Sequence, residues 1–278
     1  GGSGILIAEA RRVLVENCYF ENCWNASTIG ISPISEDDSL TAGNIKQVIF
    51  EGNTCYNCLG GLQGYSEESI IWNANQFENI GDDAIAFLGA TDSDPRSTKA
   101  VISNNVFKNG RYINANSVPA LGVFAKIDGG GGGLTNVVDV SITGNVVEDS
   151  YVAVYLANCS KITINGNVLD TSYQSAVYMS GGVGKVVVSG NQINNPNTSA
   201  SGSHSGIQAV SVSDLIVADN QIVGTANGAK QGINLEIIGD LGEANGRHYN
   251  AYSTTCHYGG TWFYCLPEQE VGAAANHP

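Results

Sequence analysis

An eight-residue unit, apolar-x-apolar-x-x-Asn-x-apolar, recurs along this chain and limits what it can fold into. It reads VIFEGNTC (Val48 to Cys55), IIWNANQF (Ile70 to Phe77), AVISNNVF (Ala100 to Phe107) and VSITGNVV (Val140 to Val147). It continues as ITINGNVL (Ile162 to Leu169), VVVSGNQI (Val186 to Ile193) and LIVADNQI (Leu215 to Ile222). VLVENCYF (Val13 to Phe20) is an imperfect first copy, with Cys18 at the Asn position. Asn53, Asn75, Asn105, Asn145, Asn167, Asn191 and Asn220 stand 22, 30, 40, 22, 24 and 29 residues apart. A base period near 22 with variable inserts is the mark of one supersecondary unit per repeat, with loops of different length at its corners. Within each unit the apolar residues alternate with period 2, which predicts strand and not helix.

A second strand-like segment follows each unit: STIGISPI (Ser27 to Ile34), GGLQGYS (Gly60 to Ser66), DAIAFLG (Asp83 to Gly89) and ALGVFAKID (Ala120 to Asp128). Then come VAVYLANC (Val152 to Cys159), SAVYMSG (Ser175 to Gly181), GIQAVSVS (Gly206 to Ser213) and GINLEIIG (Gly232 to Gly239). Two strands per repeat, paired in parallel with their copies, predict an all-β solenoid. The expectation is a right-handed parallel β-helix of about eight coils over residues 1–239. Residues 240–278, rich in Tyr, His and Trp, read as a C-terminal cap or subunit contact. The residue before the repeated Asn is often Gly52, Asn104, Gly144, Gly166 or Gly190, types that tolerate positive φ at a sharp corner. The Asn can then turn inward and stack on its copies. Its amide both donates and accepts, so a ladder satisfies groups that would otherwise be buried unpaired.

A net charge of −14 argues against a nucleic-acid partner, which needs a basic footprint. No apolar run approaches the ~20 residues that span a bilayer, so no membrane insertion is expected. The start, GGSGILIAEARR, lacks the charged and apolar regions of a secretory signal. Strand-like residues begin almost at once, and an uncapped first coil would leave an open strand edge; the chain therefore reads as a piece of a longer protein. Of the seven cysteines, Cys55 and Cys58 form one C-x-x-C without the second pair of a zinc site. Buried thiols are expected, with no metal and no cofactor. Cys256 and Cys265 flank a turn-like segment, a placement that suits a local disulfide in an oxidising compartment.

The Asn-bearing coils over roughly residues 5–239 resemble the pectin-lyase-like superfamily of parallel β-helices, and most of all bacteriophage tailspike depolymerase domains. The resemblance implies a polysaccharide partner held along the outside of the stack, an extracellular or virion-surface location, and a homotrimer. GDDAI (Gly81 to Ile85) looks like the paired-aspartate motif of polygalacturonases. It implies Asp82 and Asp83 as catalytic residues, acid and base or nucleophile across a glycosidic bond. The chain departs from that family in three ways: LGGLQG one coil earlier carries no matching Asp, and both the Gly-His-Gly element and an Arg-x-Lys pair are absent. Neither an alginate-epimerase signature nor a calcium loop is present.

For substrate contact, placing Val123 and Ala125, Val154 and Leu156, and Val177 and Met179 inward leaves Phe124, Tyr155 and Tyr178 as an outward aromatic column. Such a column can stack on sugar rings. Lys126 and Asp128 share the strand of Phe124, and the inserts carrying Arg96 and Arg111 are placed to wall a cleft. The outward positions of the first unit, Leu14, Ile49, Ile71 and Val101, form an apolar stripe of the kind that neighbouring subunits cover. Three functions fit: a glycoside-hydrolysing depolymerase first, then a non-catalytic carbohydrate-binding or structural module of a fibre or adhesin, then a polysaccharide lyase using Lys126 or Arg111.

Overall fold

The computed structural model describes residues 3–7, 12–29, 47–65, 69–88, 98–110, 122–129, 137–199, 204–210, 212–224, 232–236, 248–252, 255–258 and 261–264. Among these residues the chain winds through three sheets in turn. The first holds Ser3–Ile7, Asn25–Ile29, Gly60–Tyr65, Asp83–Leu88, Val123–Asp128, Val152–Ala157, Val177–Ser180, Ile207–Val210 and Ile233–Glu236. The second holds Arg12–Glu16, Gln47–Glu51, Ser69–Asn73, Thr98–Ser103, Val137–Thr143, Cys159–Asn165, Val183–Ser189, Val212–Ala218 and His248–Tyr252. The third holds Tyr19–Glu21, Thr54–Tyr56, Gln76–Glu78, Val106–Lys108, Val146–Ser150, Val168–Ser172, Gln192–Asn194, Gln221–Val223 and Thr255–Tyr258. One strand from each sheet makes a coil, giving nine coils among the described residues. Neighbouring coils pair in parallel, and Thr261–Tyr264 alone folds back antiparallel, on Thr255–Tyr258.

Each coil thus has three strands, where the sequence pattern suggested two. The third strand lies at the end of the repeated unit and in most coils is three residues long. It turns one large side chain inward per coil, such as Phe20, Cys55, Phe77, Phe107 or Leu169. One inward residue cannot display an alternation, so the unit reads as a single strand.

The asparagine ladder sits at the corner between second and third sheets. Asn53 Nδ2 donates to Asn75 Oδ1 at 2.9 Å, Asn75 to Asn105 at 3.0 Å, Asn105 to Asn145 at 3.0 Å and Asn145 to Asn167 at 2.9 Å. Asn167 to Asn191 and Asn191 to Asn220, both 2.9 Å, complete it. Each Oδ1 also accepts the backbone N–H of the preceding rung, and each Nδ2 donates to a carbonyl of the coil before, as Asn105 does to Trp72 O at 3.0 Å. Every polar atom of these buried amides is thereby paired. At the first rung the backbone N–H of Cys18 donates to Asn53 Oδ1 at 3.0 Å. The thiol cannot repeat the amide, so the side-chain ladder begins at Asn53.

This corner is two residues long in every coil, as with Gly52 and Asn53 between Glu51 and Thr54. Its first residue is left-handed, at φ 64° in Gly52, 54° in Ala74 and 56° in Asn104. A second left-handed column leaves the third sheet at Asn22, Asn57, Asn79, Asn109, Asp149, Thr171 and Asn195. The inserts that stretch the period lie at the other two corners. The longest spacing, Asn105 to Asn145, takes in residues 109–122 and 129–136 there.

Inward side chains of all three sheets merge into one core. Phe50 stacks on Trp72 with ring centres 6.0 Å apart, and Trp72 meets Phe87 edge-on at 6.1 Å. Its indole N–H donates to Leu62 O at 3.1 Å, so the largest core side chain is polar-satisfied. On the outside of the second sheet, Leu14, Ile49, Ile71, Val101, Ser141, Thr163, Val187 and Ile216 fall in one register column, as the pattern predicts. Leu14 is 59% exposed and Val101 36%. Cys55, Cys58 and Cys159 are buried thiols, and Cys18 and Cys23 are half-buried; none of these five is in a disulfide. Cys256 lies on the Thr255–Tyr258 strand, but its side chain and Cys265 fall outside the described residues.

Candidate functional site

The chain enters the first sheet through a bend that breaks strict alternation. At its start two consecutive residues face the core: Ala84 and Ile85, Phe124 and Ala125, Ala153 and Val154, Ala176 and Val177, all wholly buried. This corrects the expected outward column. Phe124 is 0% exposed and packs on Phe107 at 6.0 Å, so it offers no face to a ligand. Lys126 is the residue in register with Tyr155, which pairs in turn with Tyr178. Val123, expected inward, is half-buried and shares the register of Asp83. The row in that register therefore runs Gln63, Ala86, Lys126, Tyr155, Tyr178 and Gln208, of which Lys126, Tyr155 and Tyr178 are half-buried and Gln63, Ala86 and Gln208 buried.

Asp83 lies just before the doubly inward pair. Its side chain reaches across one coil to Lys126, with Oδ2 to Nζ at 3.2 Å. The Asp83 side chain is only 7% exposed and that of Lys126 34%. Burial, reinforced by the neighbouring charge of Asp82, raises the Asp83 carboxyl from 3.8 to about 6 against the pull of Lys126. An ion pair alone would lower it; here desolvation wins. On Lys126, burial acts downward, but the carboxylate of Asp83 outweighs it and raises the ammonium, with Asp82 and Asp128 adding to the rise. Asp82 is exposed at the corner beside the pair. Asp128, at the far end of the Lys126 strand, accepts from Asn158 Nδ2 at 3.1 Å.

Two tyrosine pairs continue outward from this centre. Tyr155 and Tyr178 lie 5.7 Å apart between ring centres, and the Tyr155 hydroxyl is 3.3 Å from Ser180 Oγ. Tyr151 and Tyr173 stack at 5.5 Å with an interplanar angle of 23°, at the corner that leads into the same two strands. Gln174 Nε2 donates to the Tyr151 hydroxyl at 2.6 Å. Sequence reasoning missed Tyr151 and Tyr173. A signal was there: Ser150-Tyr151 before Val154-Tyr155 repeats as Ser172-Tyr173 before Val177-Tyr178. Thus Asp83, Lys126, Tyr155 and Tyr178 come together, Asp82 and Asp128 border them, and Phe124 does not. Arg96 and Arg111 lie outside the described residues.

Chemically, the centre holds a carboxyl poised to give or take a proton near neutral pH, a cation beside it and flat faces in line with both. Among the described residues no group of three or more His, Cys, Asp or Glu side chains is arranged to hold a metal.

A stack of parallel coils with an internal asparagine ladder defines a β-helix protein. The family model described as "right handed beta helix region" matches residues 1–132 and again 127–246, and the chain belongs to that family. No curated protein and no solved structure matches it.

Proposed function

We propose that this β-helix binds a polysaccharide along the outer face of its first sheet and hydrolyses it in the manner of a tailspike-like depolymerase. The observation that carries the reading is Asp83, a buried carboxyl raised to about 6 at the head of a tyrosine-lined row. In this reading Asp83 is the general acid that protonates the leaving glycosidic oxygen, and Asp82 is the base or nucleophile. Lys126 holds Asp83 in place and binds substrate oxygens, while Tyr155 and Tyr178 stack on the sugar rings. Asp128, Arg96 and Arg111 are assigned to the rim of the same groove. The location we assign is extracellular, on a virion or cell surface, and the outward apolar column of the second sheet is assigned to contacts within a homotrimer.

The test is a panel of bacterial capsular, O-antigen, plant and algal polysaccharides, read for new reducing ends and for absorbance of unsaturated products. Reducing ends without unsaturation support hydrolysis. Unsaturated products assign eliminative chemistry to the same site, with Lys126 favouring it by its place beside Asp83. Binding without either product leaves a non-catalytic module. Asp83→Asn is expected to abolish turnover and keep binding; full activity in that variant overturns the assignment. Tyr155→Ala with Tyr178→Ala is expected to weaken binding about tenfold, the scale of two lost aromatic contacts.

A further inference from the structure

The third sheet carries a groove of its own. Its outward residues fall in two register columns. Tyr19, Thr54, Gln76 and Val106 form one, and Glu21, Tyr56, Glu78, Lys108 and Glu148 the other. Over the first four coils these columns enclose an open groove of about 370 Å³. Its length is about 14 Å, three coil steps of about 4.8 Å each. None of the described residues of the first-sheet site lines it, because the two faces look out from different sides of the coil.

The lining has the composition of a sugar site. Tyr19, 62% exposed at the outer end, and the half-buried Tyr56, one coil on and in the other column, offer two apolar ring faces. Val106 adds apolar surface, and Thr54, Gln76 and Glu78 supply a hydroxyl, an amide and a carboxylate. Apolar walls with a few convergent polar groups are what a small-molecule site presents. The charge selects within the class of sugars. Glu78 lines the groove with Glu21 and Glu148 flanking it in the same column, and the one lining cation, Lys108, is already engaged by Glu148 at 3.2 Å. Such a surface repels a uronate or a phosphorylated glycan and accepts a neutral one. A protein partner is the poorer fit, because Glu78 and Lys108 place charge in the lining, where interface centres are stripped of charge.

We infer that the third-sheet groove is a second glycan site, binding neutral sugar units on Tyr19 and Tyr56 apart from the first-sheet site. It is a holding site with no reaction of its own. Its occupancy by one part of a polymer raises the local concentration of the rest at the first sheet.

The experiment is saturation-transfer NMR on the full chain with maltohexaose, cellohexaose and N-acetylchitohexaose, and with hexagalacturonate as the anionic contrast. A double variant, Tyr19→Ala with Tyr56→Ala, tests this groove, and Tyr155→Ala with Tyr178→Ala tests the first sheet. Both pairs are outward, and circular dichroism checks that each variant keeps the fold. The expected result is transfer to a neutral hexaose that survives the first-sheet double variant and falls about tenfold in apparent affinity with the third-sheet one. Transfer lost only with the first-sheet variant overturns this inference and leaves the first-sheet reading standing. Transfer to hexagalacturonate alone, or to no hexaose, overturns it as well.

Discussion

At the scale of single residues, two buried polar groups make separate predictions. Asp83 has its carboxyl raised from 3.8 to about 6, so the folded chain binds its proton more tightly than the unfolded chain does. The stability linked to that proton is complete below pH 4 and is lost as the pH rises through about 6. The difference corresponds to at most about 3 kcal/mol. Chemical denaturation of Asp83→Asn beside the parent chain should therefore show the variant gaining relative stability between pH 4 and pH 7, and a pH-independent difference would contradict the burial argument. If Asp83 is the general acid, the rate of polysaccharide cleavage should fall as pH passes about 6 on the alkaline side. Ser27 is the second case. It is wholly buried at an inward position where the following coils carry Leu62, Ile85, Ala125, Val154, Val177 and Ile207. Its hydroxyl has no hydrogen-bond partner among the described residues. Ser27→Ala is expected to raise the unfolding free energy by about 1 kcal/mol, because an orphaned donor is removed without loss of a bond.

At the scale of elements, the ladder corner is where one substitution should do most damage. Asn145→Ala removes the acceptor of the Asn105 backbone and side-chain N–H groups, and the donor to Ile102 O. The expected cost is about 3–5 kcal/mol by denaturant titration, typical of a broken buried network. Asn53→Ala, at the first rung, takes an acceptor from the Cys18 N–H and a donor from Val15 O, and it should cost less, about 1–3 kcal/mol. Equal costs would mean that the ladder does not act as a connected chain. These rungs were legible in the sequence because the corner that holds them never varies in length and must repeat an amide. The second-sheet column from Leu14 to Ile216 was legible for the same reason: it sits in regular strands with true alternation. Phe124 was misread because the first-sheet strands start with two inward residues, which a period-2 template cannot represent. The slip moved the aromatic row by two positions and concealed that Lys126 stands in line with Tyr155. Burial of Asp83 was equally invisible, since it depends on residues from adjacent coils and not on its own neighbours in the chain.

At the scale of the molecule, each coil touches its neighbours and little else, so stability accumulates along one axis. The apolar column of Leu14, Ile49, Ile71 and Val101 then makes a global prediction. Under the homotrimer proposal, sedimentation equilibrium should give three times the chain mass, and Ile49→Asp with Ile71→Asp should return it to one; a single-chain mass for the parent protein counts against the proposal. The uneven corners have a broader consequence. Gly52–Asn53 and its counterparts hold length constant at one corner of the coil, while the variable lengths of chain, as in 30–46, 89–97 and 109–122, fall between strands at the other two corners. Natural selection can therefore lengthen, shorten or exchange those connections without disturbing a single rung. A lineage built this way can trade its connecting segments while inheriting its framework unaltered.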